Sequence, residues 1–420
     1  MVQHSLGRRS VLALGLGAAA SFTGCATAPA APPPFPRAQM VMDAYVRDRK
    51  ISGAVLALTR GGAAAPSFLQ SGVIALDSAR AVDENTLYRV YSMSKPITGI
   101  ATMMLIGEGR LGLDQPIADI LPEFANPRVL VNAATMETRP AAGPILVRHC
   151  LTHTSGLSYG INTTGALPPI YRAQGITPFG RPADLLPNPL RSLEDFGTRL
   201  AALPLSFDPG TSIEYSVSLD LLGLVIQRVT GTPFDTFLQQ RLFGPLGMAD
   251  TGFYVPQDKL DRFATNYRVT PEGLSLEDAP LNTPYARVEG VPSGGAGVIS
   301  TAHDYIRFCS MLLNDGAYNG ARVMSEDAVA LACSNIAPNG VRIPPEGHGI
   351  AAAMRIVLPE SVGPGMPAGQ VSWGGAAGTT MWVDRANQFA AVFLTQYMPQ
   401  DAYSIREEVR AAAYADLAAG

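Results

Sequence analysis

Lysine is nearly missing from this 420-residue chain: Lys50, Lys95 and Lys259 are the only ones, although Lys and Arg together number 31. Charge of either sign is sparse, at 16% of residues, and the formal net charge is −4. No basic stripe interleaved with aromatics occurs, which argues against a nucleic-acid partner. Cysteine is scarce as well: Cys25, Cys150, Cys309 and Cys333 show no CxxC or other metal-ligand spacing. The histidines are scattered, and His149 and His153 lack the acidic neighbour that a zinc-protease motif needs. No metal and no cofactor are therefore expected. Past the first residues, no apolar run is long and uninterrupted enough to span a bilayer. What remains is an aliphatic-rich chain, long enough to bury a large α/β core.

The N-terminal residues read as targeting rather than fold. Arg8-Arg9 precede an apolar stretch, Ser10 to Phe22, too short to cross a membrane unaided; this resembles a twin-arginine export signal. Phe22-Thr23-Gly24-Cys25 is similar to a bacterial lipobox, with Phe22 where leucine is preferred. Lipidation of Cys25, which would tether the protein to a membrane, and ordinary cleavage nearby both stay open. Residues 1–25 are thus an export signal and 26–37 an Ala/Pro-rich extended tether. The expected location is the periplasm or the cell envelope.

Residues 38–420 carry the folded domain. Ala38 to Arg49 has a helical pattern. Gly53 to Thr59 and Phe68 to Ile74 read as strands separated by Gly61-Gly62, and Thr86 to Tyr91 as a strand feeding a helix from about Ser92. The pattern is then mostly helical to Asn282, broken by an irregular stretch from Gly156 to Pro189 that suggests a lid or pocket wall. Within it, Ser216 to Val229 is a strong helix with Asp220 in its first turn. Val371 to Trp373, Thr379 to Asp384 and Phe389 to Gln396 return to strands, and a helix covers Tyr403 to Leu417. The order strands, helices, strands, helix predicts an α/β (α+β) fold with one antiparallel sheet built from both chain ends. The α/β part would comprise 38–91 and 291–420, and an inserted, mostly helical part 92–290. Cys150 and Cys309 fall in apolar helical contexts as buried thiols.

One of the three lysines stands in Ser92-Met93-Ser94-Lys95. On a helix, Ser92 and Lys95 share a face one turn apart. Arginine stays protonated, whereas a desolvated lysine can act as a base, so the pair carries the minimum equipment for nucleophilic acyl transfer. Neither Lys50 nor Lys259 has a serine three residues upstream.

Three further stretches join this one: Leu151-Thr152-His153-Thr154-Ser155-Gly156-Leu157, Pro209-Gly210-Thr211 through Glu214-Tyr215-Ser216, and Trp373-Gly374-Gly375 with Gly378-Thr379. In this order they resemble the penicillin-recognising serine hydrolases, which comprise class C β-lactamases, D-alanyl-D-alanine peptidases and family VIII carboxylesterases. The resemblance runs from about Ala38 to the end. It implies Ser92 as nucleophile, Lys95 and Tyr215 as the acid/base pair, and the backbone N–H groups of Ser92 and Ala376 as the oxyanion hole. Trp373, Gly374, Gly375 and Val217 would contact substrate. A phenol works as a base near neutrality only beside a cation, which Lys95 supplies; which of the two starts as base stays open.

Gly156-Leu157-Ser158-Tyr159-Gly160 competes with this reading, because it matches the nucleophile elbow of α/β-hydrolases. It lacks the strand-to-helix turn that such an elbow requires, and only His303 and His348 lie downstream. Two departures from the β-lactamase pattern favour a small-molecule ester over a β-lactam. Val217 replaces an asparagine that holds the acylamino side chain, and Trp373 begins the strand where a lysine helps bind the β-lactam carboxylate. The expected activity is a carboxylesterase for short acyl esters. The alternatives are a β-lactamase or D-alanyl-D-alanine carboxypeptidase, or a non-catalytic envelope binding module.

Overall fold

A computed structural model describes residues 35–61, 65–176, 189–286 and 290–419. The segment expected to be an export signal, Cys25 and the expected tether up to residue 34 lie outside the described residues, as does 177–188 of the irregular stretch. Pro36 and Arg37, expected in the tether, are helical instead. Helix α1 (Pro36–Arg47) opens on a proline, whose fixed φ and missing N–H suit a first helical turn.

A seven-stranded antiparallel sheet forms the centre. Its strands are β1 (Gly53–Arg60), β2 (Ser67–Gly72), β3 (His348–Ile350), β4 (Arg355–Val357), β5 (Val371–Gly374), β6 (Thr380–Asp384) and β7 (Phe389–Thr395), in the order β3-β4-β5-β6-β7-β1-β2. Strand β7 runs against β1 from Ala54 opposite Thr395 to Arg60 opposite Phe389, so the two chain ends close one sheet. Strand β1 is covered on both faces, and its period of two divides two cores. Ala54, Leu56 and Leu58 pack with α1 and the C-terminal helix, while Val55 and Ala57 face the larger core.

Four more helices position the site: α2 (Ser94–Gly107), α3 (Ser218–Thr230), α4 (Ala302–Leu313) and α5 (Ile405–Ala419). Helix α5 is tied to α1 by Asp416, which accepts from the backbone N–H of Arg37 at 2.9 Å and of Ala38 at 3.1 Å. A carboxylate there offsets the positive end of the α1 dipole. Among the described residues no helix is long and apolar enough to cross a membrane.

The expected helical middle is less helical than its pattern suggested. Two hairpins interrupt it, Arg128–Asn132 with Glu137–Pro140 and Asn266–Thr270 with Gly273–Asp278. The second turns at Pro271-Glu272-Gly273, with Gly273 at φ +121°, a turn signal that sequence reading passed over. The strand expected over Thr86 to Tyr91 shrinks to Tyr88–Arg89, and α2 begins two residues late. Cys150, Cys309 and Cys333 are buried thiols, and burial pushes that of Cys150 up to about 12.

Candidate active site

Ser92 sits in a tight 3-10 turn, Tyr91–Met93, between the short strand and α2. The turn departs from the strand through Tyr91 in the left-handed region, φ +44°, a conformation that a bulky residue adopts only when its surroundings impose it. They do so from three sides. Tyr305 donates to the Met93 carbonyl at 2.7 Å, Ser94 Oγ to the Tyr91 carbonyl at 2.6 Å, and the Val298 N–H to Ser94 Oγ at 3.0 Å. Upstream, fully buried Arg89 pairs with Asp278 at 2.5 Å and lies 3.8 Å from the Phe263 ring centroid.

The three chemical groups meet. The Tyr215 hydroxyl stands 2.6 Å from Ser92 Oγ, and Lys95 Nζ stands 3.5 Å from it. Lys95 is completely buried; its Nζ donates to the Gly295 carbonyl at 2.7 Å and lies 4.4 Å from the Tyr215 ring centroid. The phenol oxygen is thus the nearer partner of the serine, and the ammonium lies alongside the phenol.

Beneath Lys95 lies a carboxylate that sequence reading took for a helix-dipole acid. Asp220 on α3 is fully buried; its Oδ1 accepts from Ser293 Oγ at 2.5 Å and from the Gly295 N–H at 3.0 Å, while Oδ2 has no hydrogen-bond partner. Burial raises its pKa, against the opposing pull of Lys95. The Gly295 peptide therefore links the two charges, its carbonyl to Lys95 and its N–H to Asp220. A Cβ on Gly295 would lie 2.5 Å from Asp220 Oδ2, which is why Ser293-Gly294-Gly295 packs so closely on α3. One clue was available: Asp220 is a lone acid on the apolar run from Leu219 to Ile226.

On the other side of Tyr215, His153 is buried with its ring centroid 4.9 Å from that of Tyr215 and 6.1 Å from that of Trp373. Its Nδ1 accepts the Ser216 N–H at 3.3 Å and pairs with Ser216 Oγ at 3.0 Å, and its Nε2 has no partner. Desolvation, with Lys95 nearby, pushes its pKa down to about 3, so the ring is neutral and serves as a rigid aromatic wall.

A cavity of about 440 Å³ opens onto this group, lined by Ser92, Tyr215, Trp373, Gly374 and Ala376 among others. The backbone N–H groups of Ser92 and Ala376 donate to no acceptor among the described residues. Gly375 is absent from this lining. A side chain there would meet the Val90 carbonyl at 2.4 Å and Thr379 Oγ1 at 2.3 Å, so the glycine serves packing behind Ser92. Strand β5, which ends at Gly374, lies inside the sheet, between β4 and β6.

Two other expectations change. Val217, expected at the substrate, is completely buried in the hydrophobic core just before α3, because its position caps the inner end of that helix. The cavity also does not want for cations once the lysine of the β5 strand is replaced by Trp373. Arg355, Arg406 and Arg410 reach it from β4 and α5. Ser158, in contrast, is fully buried and donates to Glu214, with Asn162 holding both Glu214 and the Tyr215 carbonyl at 3.0 Å. It follows a helix, Val147–Leu151, and a loop rather than a strand, so it forms no elbow.

A family model described as Beta-lactamase matches residues 38–415. The chain belongs to that family. Within it, the chain is 35% identical over 343 residues to Protein Rv1367c of Mycobacterium tuberculosis, covering 77% of this chain and 80% of that one. It is 32% identical over 379 residues to Esterase EstB of Burkholderia gladioli, covering 86% and 89%. Among solved structures, EstCE1, described as a hydrolase with promiscuous acyltransferase activity, superposes with a TM-score of 0.77 at 25% identity. The match covers 90% of this chain and 97% of that one. The beta-lactamase family accounts for the antiparallel sheet with helices, and its esterase and acyltransferase members suggest a serine hydrolase here.

Proposed function

We propose that this protein is a serine carboxylesterase for short acyl esters, working through an acyl-enzyme. Ser92 Oγ attacks the ester carbonyl carbon while its proton passes to Tyr215 acting as the phenolate, with the Lys95 ammonium beside it as the balancing charge. The N–H groups of Ser92 and Ala376 receive the oxyanion. As the tetrahedral intermediate collapses, the C–O bond to the alcohol breaks and Tyr215 returns the proton to the leaving oxygen. Water then attacks the acyl-enzyme and gives its proton to Tyr215, which passes it to Ser92 Oγ as the acyl C–O bond breaks and the acid leaves. The observation that carries this reading is the 2.6 Å approach of Tyr215 to Ser92 beside a buried Lys95. Kinship with a protein named an esterase supports it. The Arg8-Arg9 segment supports a place in the cell envelope, with Cys25 as the candidate lipid anchor.

Preference for esters over β-lactams rests on less than the sequence suggested, since arginines stand near the missing lysine. With Val217 turned into the core, that position offers no hydrogen bond to the acylamino group of a β-lactam. Labelling with a fluorophosphonate should place an adduct on Ser92 and none on Ser158. On one preparation, kcat/KM for p-nitrophenyl butyrate should exceed that for nitrocefin. If nitrocefin equals the ester, a β-lactamase replaces the esterase; if neither reacts and Ser92 stays unlabelled, the binding module does.

A further inference from the structure

The cavity that exposes Ser92 is unusual in its charge. Arg355, Arg406 and Arg410 line it, and Glu407 is the only carboxylate among its described lining residues. Arg406 and Arg410 are one turn apart on α5, so they share a face; Arg355 approaches from β4. Three guanidinium groups thus converge from two elements that the fold brings together.

Their partners are few. Elsewhere Arg89 meets Asp278 directly, Arg199 meets Asp195 and Arg262 meets Asp250. In the cavity, among the described residues, Arg355 makes one hydrogen bond, from Nη2 to the Pro344 carbonyl at 3.3 Å, and its Nε has no partner. Arg406 donates to Gln400 Oε1 at 2.9 Å and meets the exposed Glu407 at 4.0 Å, with Nε again without a partner. Arg410 makes no direct hydrogen bond or ion pair among the described residues. Burial lowers the pKa of both Arg355 and Arg410; the neighbouring arginine adds to it at Arg355, while at Arg410 Glu407 opposes it more than Arg406 adds. Arginine nevertheless stays charged, so this concentration of cations is costly unless an anion joins it.

The cluster is also tied to the reacting end of the cavity. Gly374 ends β5 two residues before Ala376, and a Cβ there would lie 2.7 Å from Arg406 Nη1. Only glycine lets that guanidinium lie against the strand leading to the oxyanion N–H. A planar fork so placed suits the two oxygens of a carboxylate.

We propose that the ester hydrolysed here carries a free carboxylate, on its acyl or alcohol part, held by Arg355, Arg406 and Arg410. This rests on the esterase reading of Ser92 and names the substrate class of the same site. It also gives the arginines a role that a neutral short-chain ester would leave unused.

The test compares matched esters: 4-nitrophenyl hydrogen glutarate with its methyl ester, and 4-carboxyphenyl butyrate with its methyl ester. In the wild type, kcat/KM for at least one acid should exceed that for its neutral partner by about tenfold or more, mainly through KM. The preference should fall toward unity in Arg355→Gln and Arg410→Gln, and should weaken as salt rises. Which pair shows it tells whether the carboxylate sits on the acyl or the alcohol side. Equal rates for acid and methyl ester in both pairs, or a preference unchanged in both variants, overturn the proposal while leaving the esterase intact. Calorimetry on Ser92→Ala keeps the test independent of turnover. Monomethyl glutarate should bind about tenfold more tightly than dimethyl glutarate, and this advantage should vanish in the double variants with Arg355→Gln or Arg410→Gln. Equal binding of the two overturns the proposal even if no ester is hydrolysed.

Discussion

Replacing His153 with asparagine should make the protein less sensitive to acid. In the folded chain the imidazole is buried against Tyr215 and Trp373, and its pKa is pushed from 6.5 to about 3. A histidine held below its unfolded value contributes stability that is fully present above pH 6.5 and is lost as pH falls toward the folded value. Each unit of that difference corresponds to about 1.4 kcal/mol, so the full window corresponds to about 5 kcal/mol. Between pH 6.5 and 4.5 the loss from this one group is about 2 kcal/mol, a large share of a typical domain's stability. Asparagine is the appropriate substitute, because its Oδ1 can take the place of Nδ1 as acceptor for the Ser216 N–H, and it does not titrate. His149, pushed down to about 4 by burial, adds acid sensitivity of the same sign, but equally in both proteins. The assay is urea unfolding at half-unit steps from pH 7.5 to 4.5 for wild type and His153→Asn. The two stability curves should converge as pH falls, with a relative slope near 1.4 kcal/mol per unit below pH 6. Parallel curves would refute the claim that the ring is held neutral by the fold.

Three further outcomes are expected. Asp220→Asn should raise the midpoint of thermal unfolding at pH 7, because a carboxyl whose folded pKa is raised loses stability as pH climbs past its unfolded value of 3.8. The gain should disappear below about pH 4, and esterase kcat should fall; a variant both less stable at pH 7 and fully active would contradict this account. Lys95→Arg should lower kcat by about 10²–10⁴, since a permanently charged fork replaces an ammonium that touches Ser92 Oγ and the Gly295 carbonyl; near-normal turnover would show that positive charge alone suffices. Ser158→Ala should retain the acyl-enzyme on Ser92 but lose about 1–3 kcal/mol of stability, because Glu214 keeps only Asn162 as its side-chain donor; an unchanged denaturation midpoint would mean that the Ser158 bond contributes nothing.

Local spacing made part of the site legible. Ser92 and Lys95 are three residues apart, so a single helical turn brings them together whatever the rest of the chain does, even though the helix proper begins at Ser94. The strands Gly53–Arg60 and Phe389–Thr395 were legible because both are apolar on both faces, and a doubly covered sheet follows from that. Tyr215 and Trp373 were found through a resemblance, not through physics: nothing in the chain's local pattern brings Tyr215 across 123 residues to Ser92.

What only the tertiary structure decided is the surroundings of those groups. Asp220 and Val217 stand within a few residues of Tyr215, yet the acid turned inward toward Lys95 while the valine entered the core away from the cavity. Helical periodicity gives each a direction on α3 but not the neighbour that direction meets. Arg355 belongs to a strand that sequence reading passed over, and Arg406 and Arg410 to the helix expected over Tyr403 to Leu417. Their convergence beside Ser92 depends on β4 joining the sheet next to β5 and α5 packing across it. Charges act through distance in space, and for residues far apart in sequence that distance is set by the packing of the whole sheet.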